Sequence, residues 1–266
     1  MSTGYAELHM YTAPDAIHAA NEAWLALILE RLGAQRLPAQ HLPLHALFES
    51  PQLLFTQTCG YPLMTALRGR VQVIGRPAYD LPDSHDGSHC SLLLVRQDDP
   101  RETLAELHGC RGAINNEDSN TGMNLLRHTL APWQRDGRFF SSLALSGGHR
   151  NSFRLLREGV VDLVAVDSVT YAYLARAGSE EVAGLRILAR SAPSPTLPYI
   201  GPASLTAEQA GQIRNVLNQT LHEHPDIAAT LAISQVLPAS EADYQVLLDY
   251  QNQARQRGLA HLEPTL

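Results

Sequence analysis

Lysine is absent from this chain of 266 residues, so all 20 of its basic side chains other than histidine are arginine. Without an amine side chain there is no Schiff-base chemistry and no phosphate-binding P-loop. Cysteine is scarce: Cys59, Cys90 and Cys110 are odd in number and show no metal-type pairing. That argues against a disulfide framework and fits a reducing compartment. Long hydrophobic runs are also missing. The longest early one, Trp24 to Leu29, lies inside an amphipathic pattern, and the first dozen residues lack the basic and apolar regions of a signal peptide. The expectation is a chain without membrane insertion, cytoplasmic as it stands and periplasmic where an export segment has been trimmed away. Positive charge is in deficit too. Twenty basic against 27 acidic residues give a formal net charge of −7, which argues against a nucleic-acid groove or an anionic membrane as partner.

What is present is apolar content of 44% and strand-helix units recurring over a length that allows two lobes of roughly 100 to 150 residues each. Ala6 to Tyr11 alternates like a strand. Ile17, Ala20, Trp24, Leu27 and Leu32 mark one face of a helix that Gly33 ends. Leu53-Leu54-Phe55 reads as a buried strand running into the polar loop Thr56 to Tyr61 and a helix. Val71 to Gly75 and Ser91 to Val95 read as strands, and Asp98-Asp99-Pro100 as the opening of a further helix. Later strands are expected at Arg111 to Asn115, Phe139 to Leu145, Val161 to Val166 and Gly184 to Ala189. The proline-rich segment Ser191 to Pro198 reads as a crossing between lobes. The remainder is expected to be helical, opening at Thr206, restarting at Pro225 and closing with Ala239 to Arg257.

Three polar loops in the middle of the chain, and the Thr56 to Tyr61 loop before them, sit where a strand gives way to a helix. Asn115 to Asn124 places short polar side chains and Gly122 before the apolar positions Leu125, Leu126 and Leu130, so a helix start near Ser119 or Asn120 would present unpaired backbone N–H groups to an anion. Ser146 to Ser152 carries Gly147, Gly148 and His149, an imidazole able to donate to a bound oxygen. Asp167-Ser168 follows the strand ending at Val166, where Asp167 reads equally as a plain helix cap. In an open α/β sheet this edge is where ligands bind. The segment holding His85, Asp86, His89 and Cys90 has zinc-binding residue types. Neighbouring His89 and Cys90 would point to opposite faces of a strand, however, so it reads as a solvated loop, and no metal or cofactor is expected.

Taken together, Tyr11 after the first strand, the Asp-Ser-x-Thr-Gly sequence at Asp118 to Gly122, the Ser-Gly-Gly-His loop at Ser146 to His149, Val164 to Ser168 and the return at Pro193 to Pro198 resemble the phosphate/phosphonate-type substrate-binding proteins of ABC transporters. The resemblance implies an α/β, two-lobed type II periplasmic-binding-protein fold, each lobe a mixed sheet flanked by helices, with a ligand cleft between lobes and hinge closure. It implies lobes of 1–92 plus 194–266 and of 93–193. It places Ser119, Asn120, Thr121 and Gly122 on a small anion with His149 beside them, Asp167 near the ligand's other end, and Tyr11, Gln57, Thr58 and Tyr61 on the facing wall. The partner implied is an ABC permease. The return segment Ser194 to Leu197 has no acid where aminophosphonate binders carry one. Two other readings remain open. One is a cytoplasmic sensor or a pyrimidine- or thiamine-precursor-binding protein of the same fold. The other is a hydrolase with Cys59 as nucleophile and His149 as base.

Overall fold

The structure is a computed structural model and describes residues 2–265. The chain forms two compact units, one made of Met1–Ser88 and Pro195–Tyr244, the other of His89–Ser194 and Gln245–Leu266.

The first unit is built on a mixed sheet of six strands. In spatial order these are Ile233–Leu237, Val71–Tyr79, Tyr199–Pro202, Leu53–Gln57, Ser2–Glu7 and Ala34–Arg36. Ser2–Glu7 runs parallel to both Ala34–Arg36 and Leu53–Gln57, while the other pairings are antiparallel. The helix Asp15–Leu32 buries Ile17, Trp24, Leu25 and Ile28, and Trp24 donates its indole N–H to Thr220 Oγ1 at 2.8 Å. Thr220 lies on the helix Ala207–Glu223, whose start is fixed by a reciprocal cap between Thr206 and Gln209. The expectation of an all-helical C-terminal part fails at Ile233–Leu237. That segment is too short and too mixed in polarity to announce itself, and it is a strand because the long strand Val71–Tyr79 offers it an edge.

The second unit holds a sheet of five strands in the order Leu185–Arg190, Ser91–Arg96, Leu163–Asp167, Arg111–Ile114 and Ser142–Leu145. Leu163 to Val166 are fully buried, as befits a central strand covered on both faces. Arg111–Ile114 is parallel to its neighbours on either side. Three adjacent parallel strands, Ser142–Leu145, Arg111–Ile114 and Leu163–Asp167, therefore release their chains at one edge of the sheet. Each feeds a helix: His149–Arg157, the continuous helical run Asn120–Asn124 and Leu125–Leu130, and Ser168–Arg176.

Two expectations are corrected here. No helix follows Asp98-Asp99-Pro100. Asp99 Oδ1 accepts from the backbone N of Arg101 at 3.0 Å and from its Nε at 2.9 Å, and Arg186 donates to the carbonyls of Asp99 and Arg101, so the local polar groups are satisfied in a turn. The closing helix, Gln245–Gln256, groups with the second unit, where the sequence reading put it with the first lobe. Asn124 Nδ2 donates to the Leu247 carbonyl at 3.0 Å, Tyr250 OH donates to the Pro193 carbonyl at 2.9 Å, and the Tyr250 and His128 rings lie 4.5 Å apart. Helical periodicity names the face of a helix that is buried but not the surface that buries it.

Candidate functional site

In the second unit the polar loops gather at the edge where the three parallel strands end. Ser119 caps the run beginning at Asn120, its Oγ accepting from Gly122 N at 3.0 Å. The first turn is a wider π-type turn over Asn120–Asn124 before α-helical geometry takes over at Leu125, a local irregularity often found at functional positions. Gly122 is required there by space. A Cβ at this position would fall 1.7 Å from Asn115 Oδ1. The Gly122 N–H is engaged in the cap, so this glycine shapes the loop while its neighbours supply side chains.

Thr121 Oγ1 lies 3.3 Å from His149 Nε2, and the Thr121 carbonyl accepts from Ser91 Oγ at 2.6 Å. Asn120 is buried and donates through Nδ2 to Ser194 Oγ at 3.0 Å. His149 is the first residue of its helix, entered through Gly147 at φ 79°. His149 as a whole residue is half-buried, and its Nδ1 is shut off from water and has no hydrogen-bond partner. Burial lowers its pKa, opposed by the Asp167 carboxylate, with His89 pushing further down. His149 is thus favoured as a neutral hydrogen-bonding group.

Asp167 does not stand as an open carboxylate. Its Oδ1 accepts from Val169 N at 2.9 Å and Thr170 N at 3.2 Å, and Oδ2 lies 3.0 Å from His89 Nδ1. Burial pushes its pKa up. The charge and hydrogen bond of His89, then His149 and the backbone donor, outweigh that and hold it below the usual carboxylate range. Of its two sequence readings, helix cap or ligand contact, the cap is the one with geometry behind it. His89 corrects another expectation: rather than lying in a solvated loop, it is buried against Asp167.

In the first unit, the parallel strands Ser2–Glu7 and Leu53–Gln57 also end side by side, Glu7 pairing with Thr56. Tyr11 is buried with its ring edge-on to Tyr79, centroids 6.0 Å apart, and its carbonyl accepts from Asn21 Nδ2 at 2.8 Å. Gln57 Nε2 donates to the Leu197 carbonyl at 3.0 Å, so that donor braces the backbone. Thr58 is fully buried, yet its Oγ1 has no hydrogen-bond partner; its N–H donates to the Pro198 carbonyl at 3.1 Å. Tyr61 is buried on the short helix Gly60–Met64, where its carbonyl accepts from Thr65 Oγ1.

Sequence reasoning missed His9. It follows the same strand that leads to Tyr11, stacks on Phe48 with centroids 6.2 Å apart, and has a buried Nε2 without a partner. Burial pushes its pKa down to about 4. The signal was its place at the end of a parallel strand, beside the next strand's polar loop. Arg127 was missed as well, since an arginine on a helix gives no sign of being buried. The structure thus brings Ser119, Asn120, Thr121, Gly122, His149 and Asp167 to one edge of the second unit, and Tyr11, Gln57, Thr58 and Tyr61 belong to the first.

The family model described as the ABC transporter, phosphonate, periplasmic substrate-binding protein matches residues 45–244. No curated protein matches the sequence. Among solved structures, PhnD1 from Prochlorococcus marinus in complex with methylphosphonate is similar over 96% of this chain and 99% of its own, with 13% identity and a TM-score of 0.75. A binding-protein component of an ABC phosphonate transporter from Pseudomonas aeruginosa is 14% identical, with a TM-score of 0.77 over 96% of this chain and 87% of that one. The alkanesulfonate-binding protein SsuA from Xanthomonas axonopodis pv. citri, bound to MOPS, is 17% identical, with a TM-score of 0.64 over 98% and 93%. The fold is the two-lobed type II periplasmic-binding-protein fold. No helix among the described residues is long and apolar enough to cross a membrane. The chain belongs to the family of phosphonate-type periplasmic substrate-binding proteins of ABC transporters.

Proposed function

We propose that the protein binds a small oxyanion, a phosphonate, phosphate or related ion, as the substrate-binding component of an ABC-type uptake system. The observation that carries this reading is the gathering of neutral donors where two of the three parallel strands of the second unit end, Arg111–Ile114 and Ser142–Leu145. Thr121 and His149 lie within 3.3 Å of each other beside a Ser119-capped helix start. Neutral donors and helix termini hold an anion without burying a compensating cation. Arg150, the nearest arginine in sequence to this group, is paired with Glu181 at 2.7 Å. The residues assigned to the ligand are Ser119, Asn120, Thr121 and His149 in the second unit and Tyr11, Thr58 and Tyr61 in the first. Gln57, Gly122 and Asp167 support them. A permease is the expected partner, and no catalysis is assigned. The alternative of a thiol hydrolase using Cys59 and His149 has less support, because His149 Nε2 is directed at Thr121 and the family's members serve transport.

A thermal-shift screen with methylphosphonate, inorganic phosphate, phosphite and a short alkanesulfonate tests the proposal. At one hundred times its Kd a ligand adds about 2.7 kcal/mol, which raises the Tm by roughly 5 to 10 °C for a protein of this size. A Tm unmoved by all four would overturn the oxyanion reading.

A further inference from the structure

We propose that Arg127 is a positioning residue for the anion-binding loop, acting through Asn124 to fix the orientation of Asn120. The inference rests on the oxyanion reading above. Arg127 lies on the helix Leu125–Leu130, one element beyond the loop, and is buried. Buried guanidinium groups are ordinarily matched by a carboxylate, because an unpaired buried charge is costly. Here the partners are neutral. Nη1 donates to the Ala260 carbonyl at 3.0 Å and Nη2 to Asn124 Oδ1 at 2.7 Å, while Nε is buried with no partner.

The chemistry of those groups imposes a direction on everything that follows. Arginine has only donors, so Asn124 must turn its oxygen toward Arg127 and its NH2 away. That NH2 meets two acceptors, the Leu247 carbonyl at 3.0 Å and Asn120 Oδ1 at 3.4 Å. Asn120, with its oxygen thus committed, presents its own NH2 to Ser194 Oγ at 3.0 Å. The run Arg127, Asn124, Asn120, Ser194 is therefore polarised at Asn124, where Arg127 can only donate and the Leu247 carbonyl can only accept. A side-chain amide without such a tie can flip end for end, exchanging a donor for an acceptor, and a flipped Asn120 would turn its oxygen toward an anion instead of its NH2. Arg127, two helical turns away, prevents that together with the Leu247 carbonyl. All four residues lie in the second unit.

Calorimetry with inorganic phosphate and methylphosphonate on the whole protein tests this. The expected result is that Arg127→Met weakens binding of whichever ion the wild type takes by at least tenfold, while Arg127→Lys, which keeps a donor-only cation, stays within about threefold of wild type. Asn124→Ala should weaken binding by about as much as Arg127→Met. The double variant should then be no weaker than Asn124→Ala alone, because both changes cut one relay. A purely structural arginine would instead give losses that multiply. If Arg127→Met does not fold, Asn124→Ala and Arg127→Lys carry the test: wild-type affinity in the first, or tenfold loss in the second, overturns the proposal. Unchanged affinity in a folded Arg127→Met variant overturns it while leaving the oxyanion reading intact. Where the wild type binds neither ion, the same calorimetry uses phosphite and a short alkanesulfonate, and a wild type that binds none of the four overturns both.

Discussion

Gly122 and Asn115 approach so closely that any side chain at position 122 would overlap the Asn115 amide oxygen, itself buried without a hydrogen-bond partner. The two residues join the end of the strand Arg111–Ile114 to the first turn of the helical run that follows it. Gly122→Ala should therefore destabilise the protein by about 1 to 3 kcal/mol through overpacking. Urea unfolding will show it, and replacing Asn115 by alanine in the same chain should recover much of the loss, since the two changes share one space. Equal losses with and without Asn115 would mean that the loop yields in some other way.

Asn120→Asp is expected to abolish oxyanion binding. A carboxylate within about 4 Å of the ligand's oxygens, at an effective dielectric near 20, repels by roughly 4 kcal/mol, close to a thousandfold in affinity. Were Asn120 the helix cap, the exchange would change stability little, because aspartate and asparagine cap helices equally well. The structure changes that expectation. Ser119 is the cap, and Asn120 is buried as a donor to Ser194, so the variant also loses stability. Calorimetry under conditions where the variant is fully folded, as judged by circular dichroism, decides the question; wild-type affinity there would reduce the loop to an ordinary helix start.

His9 should make the protein acid-sensitive. Its pKa is lowered to about 4 by burial, against an ordinary value of 6.5, so the unfolded chain takes up a proton that the folded one refuses. Stability from this group is complete above pH 6.5 and is lost as pH falls from 6.5 toward 4, up to about 3 kcal/mol in all. His9→Phe, which keeps a ring against Phe48, should lose less stability than the wild type between pH 7 and pH 4.5 in urea titrations. Identical losses would place the sensitivity elsewhere.

Asp167 should be a strut of the second unit. Removing it in Asp167→Ala takes away the cap of the helix Ser168–Arg176 and leaves His89 facing a void, for an expected loss of about 3 to 5 kcal/mol. Asp167→Asn keeps the cap and should lose distinctly less. Because the native carboxyl titrates below its unfolded value, its stabilisation holds above about pH 4 and is lost as pH falls further. Chemical denaturation of both variants at pH 7 and pH 3.5 separates the cap from the charge; equal losses in the two at pH 7 would show that the cap contributes nothing, and an Asp167→Asn variant as stable as the wild type would show the same of the pair with His89.

The sequence by itself determined the succession of strands, loops and helix starts that gave the fold and the edge at which polar residues collect. Apolar periodicity, glycines and caps are local properties, so Ser119, Asp167 and Thr206 could be read as helix starts from a few residues each. It also carried the family resemblance, through short motifs that sit on those same loops. Only the tertiary structure decided which polar side chains are engaged and by what. Asp167 is tied to His89, 78 positions away, and Gln57 to the Leu197 backbone across 140. Arg127, which no local pattern singles out, proves to be buried without a carboxylate partner. The strand Ile233–Leu237 and the grouping of Gln245–Gln256 were likewise invisible, since each depends on a partner surface made by distant chain. Burial and hydrogen bonding are relations between residues far apart in sequence, and a pattern that repeats every two or four positions holds no record of them.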